Sequence, residues 1–510
     1  MLPRLPALLL LAAGAPLASA ANVTLSSLFL GDAVVLQSGR GGARVWGAAA
    51  PGARVRLTLD GAPAGVAVAS ATGAWEALLP AQPPSWRVAA LLAADDAGGA
   101  AARAALRFGT VLLCSGQSNA QLQSSILANG TEEVAAAGAY TGRISLATLQ
   151  TQRGTTPPWN GTNRAPQWNN VSPGANGTLQ HFSGLCWLTG KAIFEALGGV
   201  APVGLLVGAV GGTPIEAWLP PGVVGTTCPA DEPPCGGAAD SALFESFILP
   251  FAPTTLGAIL WDQAERDVRC FSPATNRTAQ YPCNERALIT TWRTIFKSDC
   301  PFAVIQLPGY LGDCSEHGGD YFNCVPGVFN MRLAQDAGTT DVNASIVATY
   351  DLSCPFGVQT PQCPLGSVHN INKTVVAARA ARDLLAGLQP AAFPPVAPLR
   401  VASVAAAPTG RNFWLVTVAF DAAPLALRPT QFCDACCAGA VGDFDASVDG
   451  VNFVNGTAAS LSSGAVVFTV ALDKKPVAVR YTANQAFPQC AVVSVATGLP
   501  AMPFEAAVSA

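Results

Sequence analysis

Val111-Leu-Leu-Cys-Ser-Gly-Gln-Ser-Asn119 is the stretch on which the fold turns. Val111 to Cys114 form a short apolar run that reads as a buried strand. Ser115-Gly116-Gln117-Ser118-Asn119 then breaks the run with small polar residues. A strand that ends in Gly-Xaa-Ser and turns into a helix lifts the serine to the top of a sheet. Its backbone N–H then points at whatever the hydroxyl attacks. The same residues also suit an ordinary Ser/Gly/Asn turn, so Ser118 as a nucleophile needs partners elsewhere in the chain.

The first partner is a general base, and imidazole is the usual one near neutral pH. The chain has three histidines, His181, His317 and His369. His181 precedes an apolar segment, and His317 lies in the loop-like Cys314-Ser-Glu-His-Gly-Gly. His369 lies in Pro364-Leu-Gly-Ser-Val-His-Asn370, just before the helical pattern Thr374 to Leu388. Loops entering a late helix are where α/β hydrolytic folds often place the base, which makes His369 the leading candidate. The second partner is an oxyanion hole. Gly211 and Gly212 follow the strand-like Val203–Val207 and would let backbone N–H groups approach a substrate closely. A plain Gly-Gly turn accounts for the same residues. Ile259-Leu-Trp-Asp-Gln-Ala-Glu265 is another strand running into polar residues. Gln263 there suits either an oxyanion donor or a hydrogen-bonded structural amide.

These motifs together resemble the sialate O-acetylesterase family. Ser115–Asn119, Gly211–Trp218, Trp261–Glu265 and Gly366–His369 occur in its order and rough spacing. The likeness extends to His181–Trp187, Asp351-Leu with Pro355-Phe-Gly, and Gly498–Phe504. It implies an SGNH-hydrolase-like α/β core that removes O-acetyl groups from sugars without metal or cofactor. Carried over, Ser118 is the nucleophile and His369 the base. The oxyanion donors are the Ser118 N–H, a backbone N–H of Gly211 or Gly212, and the Gln263 side chain. The chain departs from the family pattern at three places: Ala120 stands for Met, Ala264 for Gly, and Asn370 for Pro. Many proteins with this core carry Asp two residues before the base, where this chain has Ser367, as animal sialate O-acetylesterases do. If position 264 needs positive φ, alanine costs about 1 kcal/mol and disturbs the aim of Gln263. A serine does not stabilise an imidazolium as a carboxylate does, so His369 is oriented by a backbone carbonyl or by another acid such as Asp351. Glu216 and Trp218 are expected to brace the glycine turn rather than touch substrate.

Composition fits an enzyme of the secretory route. Arg4, an apolar stretch from Leu5 to Leu17 and Ala18-Ser-Ala20 read as a signal peptide over 1–20. That stretch is too short to span a bilayer, and no later apolar run reaches ~18 residues. Charged residues are 12% of the chain and the net charge is −4, with no basic patch to attract nucleic acid. Asn22, Asn129, Asn160, Asn170, Asn176, Asn276, Asn343, Asn372 and Asn455 head glycosylation sequons, three of them in a Pro/Asn/Gly-rich stretch at 157–178 that reads as an exposed loop. Asn372 is so close to His369 that a glycan there would crowd the site, so it is expected to be unmodified or turned away. The destination is expected to be extracellular or lysosomal.

The 15 cysteines suggest several disulfides, with at least one thiol free or paired between chains. Cys114 and Cys186 read as buried, either unpaired or joined to each other. Cys228/Cys235, Cys270/Cys283, Cys314/Cys324 and Cys354/Cys363 are short-loop candidates. The Cys433/Cys436/Cys437 cluster has no second Cys/His pair nearby, which favours a disulfide with Cys490 over zinc.

The domain reading places an all-β domain at 21–108, where apolar and polar residues alternate. A catalytic domain follows at 109–388, with a doubly wound parallel-sheet core built from Val111–Cys114, Val203–Val207, Ala258–Trp261, Phe302–Leu307 and Ile346–Tyr350. The proline-rich Gln389–Pro398 reads as a linker into a β-sandwich at 389–510. The expected class is therefore α/β, flanked by all-β domains at both ends. The expected function is hydrolysis of sialic acid O-acetyl esters of the 9-O-acetyl type through an acetyl-enzyme. The expected partner is an acetylated sugar or glycan. Two rivals remain on the same motifs: an acetylxylan or other polysaccharide deacetylase, and a catalytically impaired glycan-binding protein. The oligomeric state is not encoded in these motifs.

Overall fold

The computed structural model describes residues 23–39, 41–96, 102–149, 166–229, 238–269, 277–309, 321–353, 363–430, 443–462, 464–483 and 490–509. Six parallel strands form its centre: β1 (Ala102–Gly116), β2 (Ile144–Leu149), β3 (Val203–Ala209), β4 (Ala258–Asp262), β5 (Phe302–Ile305) and β6 (Ala344–Val347). They lie in the order β2-β3-β1-β4-β5-β6, with a short antiparallel strand, Asn169–Asn170, on the β2 edge. The order steps outward from β1 in both directions, and the register puts Ser115 of β1 beside Gly208 of β3 and Trp261 of β4. Open α/β sheets bind ligands beyond the carboxyl ends of their strands at such a reversal.

Alternation along each strand assigns the two faces. Leu112, Cys114, Leu205, Val207, Leu260 and Ile305 pack on one side with helices α1 (Gly184–Ala196) and α4 (Thr374–Leu388). Val111, Leu113, Leu206, Ile259, Trp261 and Val304 pack on the other with α2 (Arg277–Phe296) and, through Val328 and Met331, α3 (Tyr321–Thr339). Trp218, Trp261 and Trp292 are wholly buried and meet edge to face, 5.7 and 5.4 Å between ring centres. Both faces being covered explains why these strands read as continuous apolar runs.

The N-terminal part is all-β and shares a strand with this core. The first half of β1 pairs with Val34–Gln37 and Ser85–Asp95, while its second half pairs with β3 and β4. Residue 108 therefore lies inside one continuous strand. After the proline-rich segment, two four-stranded antiparallel sheets enclose a further core of Val416, Val466, Phe468, Phe444, Val479 and Tyr481. This region docks on the α/β core through Tyr350, whose hydroxyl donates to the Ala501 carbonyl at 2.8 Å, and through Arg400, bidentate on Asp336 at 2.6 Å. Ile346–Tyr350 was expected as a strand; β6 ends at Val347, and Tyr350 sits in a 3₁₀ turn turned toward the C-terminal core.

Cys114 of β1 is bonded to Cys186 of α1, which fixes the open alternative in favour of the pair. Cys228 is bonded to Cys283, which corrects both the Cys228/Cys235 and the Cys270/Cys283 expectations. The partner lies 55 residues away because α2 brings Cys283 beside the loop after Trp218. Cys363 and Cys490 are also disulfide-bonded, with partners outside the described side chains, and Cys300 is a buried free thiol. The signal segment, His317, Cys235, Cys270, Cys314, Cys354 and the Cys433–Cys437 cluster lie outside the described residues. No helix among the described residues is long and apolar enough to cross a membrane.

Candidate active site

Gly116 ends β1 with φ +137°, and a Cβ there would lie 2.0 Å from the Asp262 carbonyl oxygen. Only glycine lets β1 pass β4 so closely. The Gln117 N–H then donates to that carbonyl at 2.9 Å, and Ser118 opens a single helical turn, Ser118–Gln121, with its side chain half-buried.

His369 reaches this serine from 251 residues away: its Nε2 lies 2.8 Å from Ser118 Oγ. The ring comes from the loop just ahead of α4, as the sequence placed it. A cavity of about 280 Å³ opens over the pair. Gln117, Ser118, Gly211, Gly212, Glu265, Arg266, Val368 and His369 line it. His181 is exposed elsewhere, with Nδ1 3.4 Å from Gln123 Oε1. A larger cavity, about 340 Å³, lies between α4 and the C-terminal region. Its arginines, Arg379, Arg382 and Arg400, are each paired to a carboxylate.

The glycine turn stands beside Ser118. A Cβ on Gly211 would lie 3.1 Å from Ser118 Cβ, and Gly212 has φ +73°. Trp218 and Glu216 hold the turn from behind. Trp218 Nε1 donates to Thr213 Oγ1 at 3.0 Å, Thr213 Oγ1 donates to the Val210 carbonyl at 2.8 Å, and Asn284 Nδ2 donates to Glu216 at 2.9 Å. The Gly211 N–H, expected to face an oxyanion, donates to Gln121 Oε1 at 2.9 Å.

Gln263 departs further from its expected role. Its amide nitrogen faces the Thr213 carbonyl at 3.0 Å, Gln117 Oε1 at 3.2 Å and Asp267, while its oxygen accepts from the Tyr281 hydroxyl at 2.9 Å. It is buried and does not line the cavity. An amide has two N–H donors, and three acceptors already surround them. In this state Gln263 braces the glycine turn. The neighbouring Ala264 has φ +144°, so the condition set for a strained alanine is met.

Behind the pair lies a charged layer that the motifs did not reveal. Asn119 Nδ2 donates to Glu265 Oε1 and to the Val368 carbonyl at 3.0 Å, and Lys373 Nζ donates to Asn119 Oδ1 at 2.7 Å. Burial pulls the Lys373 ammonium down, and nearby Asp262 and Glu265 oppose that. Burial raises Asp262 to about 7, with Lys373 opposing. Asp351, weighed as an orienting acid, has its carboxylate on Arg379, at 2.8 and 2.6 Å. Ser367 is buried, and Asn372 is half-buried. Among the described residues no group of three or more His, Cys, Asp or Glu side chains is placed to hold a metal ion.

A half-exposed serine hydroxyl thus meets an imidazole beside a glycine turn at the carboxyl edge of a parallel sheet. The fold is similar to that of a carbohydrate acetylesterase from Xanthomonas citri, with TM-score 0.72, 22% identity, and 95% of this chain and 99% of that one covered. The sequence is similar to the sialate O-acetylesterases of rat and human. Each is 26% identical over 69% of this chain, covering 71% and 68% of the relative. The resemblance read from the motifs is thus shown across most of the chain. No protein-family model matches it.

Proposed function

We propose that the chain is a serine-dependent carbohydrate O-acetylesterase with an SGNH-like core, acting on O-acetylated sialic acid of the 9-O-acetyl type. The observation that carries this reading is the 2.8 Å approach of His369 Nε2 to Ser118 Oγ. Likeness to the rat and human sialate O-acetylesterases supports sialate as the substrate, and likeness to the Xanthomonas carbohydrate acetylesterase supports an acetylated carbohydrate more broadly. The contact also favours an enzyme over a glycan-binding protein, in which nothing requires the two side chains to meet.

In the proposed mechanism, His369 Nε2 accepts the Ser118 proton as Oγ attacks the acetyl carbonyl carbon. The tetrahedral oxyanion is held by the Ser118 and Gly212 backbone N–H groups. Gly211 and Gln263 join only by exchanging a present partner for the oxyanion. The imidazolium then protonates the departing sugar oxygen, and the acetyl-enzyme remains. Water gives its proton to the same imidazole and attacks the ester, which releases acetate and restores Ser118.

The test is acetate release from 4-nitrophenyl acetate and from 9-O-acetylated sialic acid by the wild type and Ser118→Ala. Release from both substrates that vanishes in the variant is the expected result. Release from the nitrophenyl ester alone would keep the mechanism and move the substrate to another acetylated glycan, such as acetylxylan. Release that survives Ser118→Ala would end the serine reading.

A further inference from the structure

We propose that Asn119 and Lys373 are positioning residues that hold the His369 loop against the nucleophile. The inference rests on the Ser118–His369 reading and goes beyond it. Asn119 directly follows the nucleophile, and Val368 directly precedes the base. The Asn119 amide donates to the Val368 carbonyl at 3.0 Å, so one side chain ties the two halves of the site together. The same amide accepts from Lys373 Nζ at 2.7 Å. The loop from Val368 to Lys373, which carries His369, is therefore pinned at both ends to one asparagine.

Lys373 sets the sense of that amide. An ammonium has only donors, so it takes the Asn119 oxygen and turns the NH₂ group toward the Val368 carbonyl and Glu265 Oε1. A flipped amide would face Lys373 with donors and the two oxygens with an acceptor. The arrangement is buried: Asn119 is 1% exposed and Lys373 4%.

The experiment compares Asn119→Ala, Lys373→Met and the double variant by kcat and KM on 4-nitrophenyl acetate, with thermal unfolding measured alongside. Small misplacements of a catalytic group can cost up to about 100-fold. Asn119→Ala should lower kcat about 10- to 100-fold with KM within about threefold. Lys373→Met should lower kcat about 5- to 20-fold. The double variant should be no slower than Asn119→Ala, because Lys373 acts through the asparagine. Lys373→Gln keeps one donor for Asn119 Oδ1 and should regain part of the loss. It also carries the test if the other variants do not fold. Wild-type kcat in a folded single variant, a loss confined to KM, losses that multiply in the double variant, or Lys373→Gln no better than Lys373→Met would overturn the proposal. Ser118→Ala in the same assay separates the outcomes. Failure of that control sinks the serine reading, whereas its success beside unaffected Asn119 and Lys373 variants sinks only the clamp.

Discussion

Two neighbouring strand ends of the α/β core make the same demand on the backbone and meet it with different residues. β1 ends at Gly116 with φ +137°, and the segment after β4 passes through Ala264 with φ +144°. Glycine enters that region freely, whereas an L side chain is strained there by about 1–3 kcal/mol. At Gly116 there is also no room, with the Asp262 carbonyl 2.0 Å from any Cβ. At Ala264 the methyl is fully buried, and the strain is held by neighbours. Gln263 is fixed through Tyr281, Thr213 and Gln117, and its carbonyl accepts from Gln335 Nε2 at 3.1 Å. The serine turn is therefore built without steric compromise, while the turn behind the Gly211-Gly212 loop is held in place by hydrogen bonds against its own preference.

The sharpest way to break this comparison is Gly116→Ala. It adds both the strain and the clash, so a stability loss above about 4 kcal/mol is expected, with little folded protein and no acetate release. Thermal unfolding and expression yield would show it. A well-folded, active variant would mean that the two turns are equivalent after all. Next comes Gln263→Ala, which removes the brace and leaves the Tyr281 hydroxyl and the Thr213 carbonyl short of a partner. A stability loss of about 2–4 kcal/mol is expected, with the catalytic loss following from the disturbed glycine turn. An unchanged melting temperature with kcat lower by about 10²–10³ would instead place this amide on the oxyanion.

What the sequence could and could not convey follows the same division. Strands buried on both faces announce themselves as apolar runs, which is why β3, β4 and β5 lie where the pattern placed them. The amphipathic period of α4 gives its bounds, Thr374–Leu388, directly. The change near residue 108 from alternating to continuous apolar residues marks one strand passing from a half-covered to a fully covered sheet. The Ser118–His369 pairing was legible because few histidines compete for the role. The Gln263 contacts were not, because residue type does not say which acceptors will surround an amide. Nor was the Asn119–Lys373 bond, between residues separated by 254 positions and ordinary in composition. Cys228–Cys283 was missed for a related reason: short loops suggest local pairs, but packing of α2 decides the partner.

Asp262 supplies a third, smaller effect at the same junction. Its carboxyl is raised from 3.8 to about 7 by burial and by Glu265, with Lys373 opposing. The folded state therefore keeps a proton that the unfolded chain releases above pH ~4. The resulting stabilisation is complete below that pH and is lost as pH rises through about 7. Asp262→Asn removes this titration. Unfolding of the variant and the wild type should nearly coincide below pH ~4. As pH rises to 8 the variant should become the more stable, by on the order of a few kcal/mol. A gain of equal size at both pH values would show that the carboxyl is already ionised in the folded protein.

The smallest expected change tests the comparison from the strained side. Ala264→Gly removes a buried methyl, which by itself would cost up to about 1 kcal/mol, and frees unfolded-chain entropy, which costs a little more. Against these stands relief of strain of about 1–3 kcal/mol. The net expectation is a gain of up to about 1 kcal/mol, seen as a rise of a few degrees in the unfolding midpoint. If Gln263 only braces the turn, kcat should stay within about twofold of wild type, because the brace already holds the geometry that glycine would adopt unaided. A large rise in kcat with little change in stability would mean that the alanine, through Gln263, had been misdirecting an oxyanion donor. A fall in stability would show that the hydrogen-bonded network has relaxed around Ala264 and that its backbone is no longer under strain.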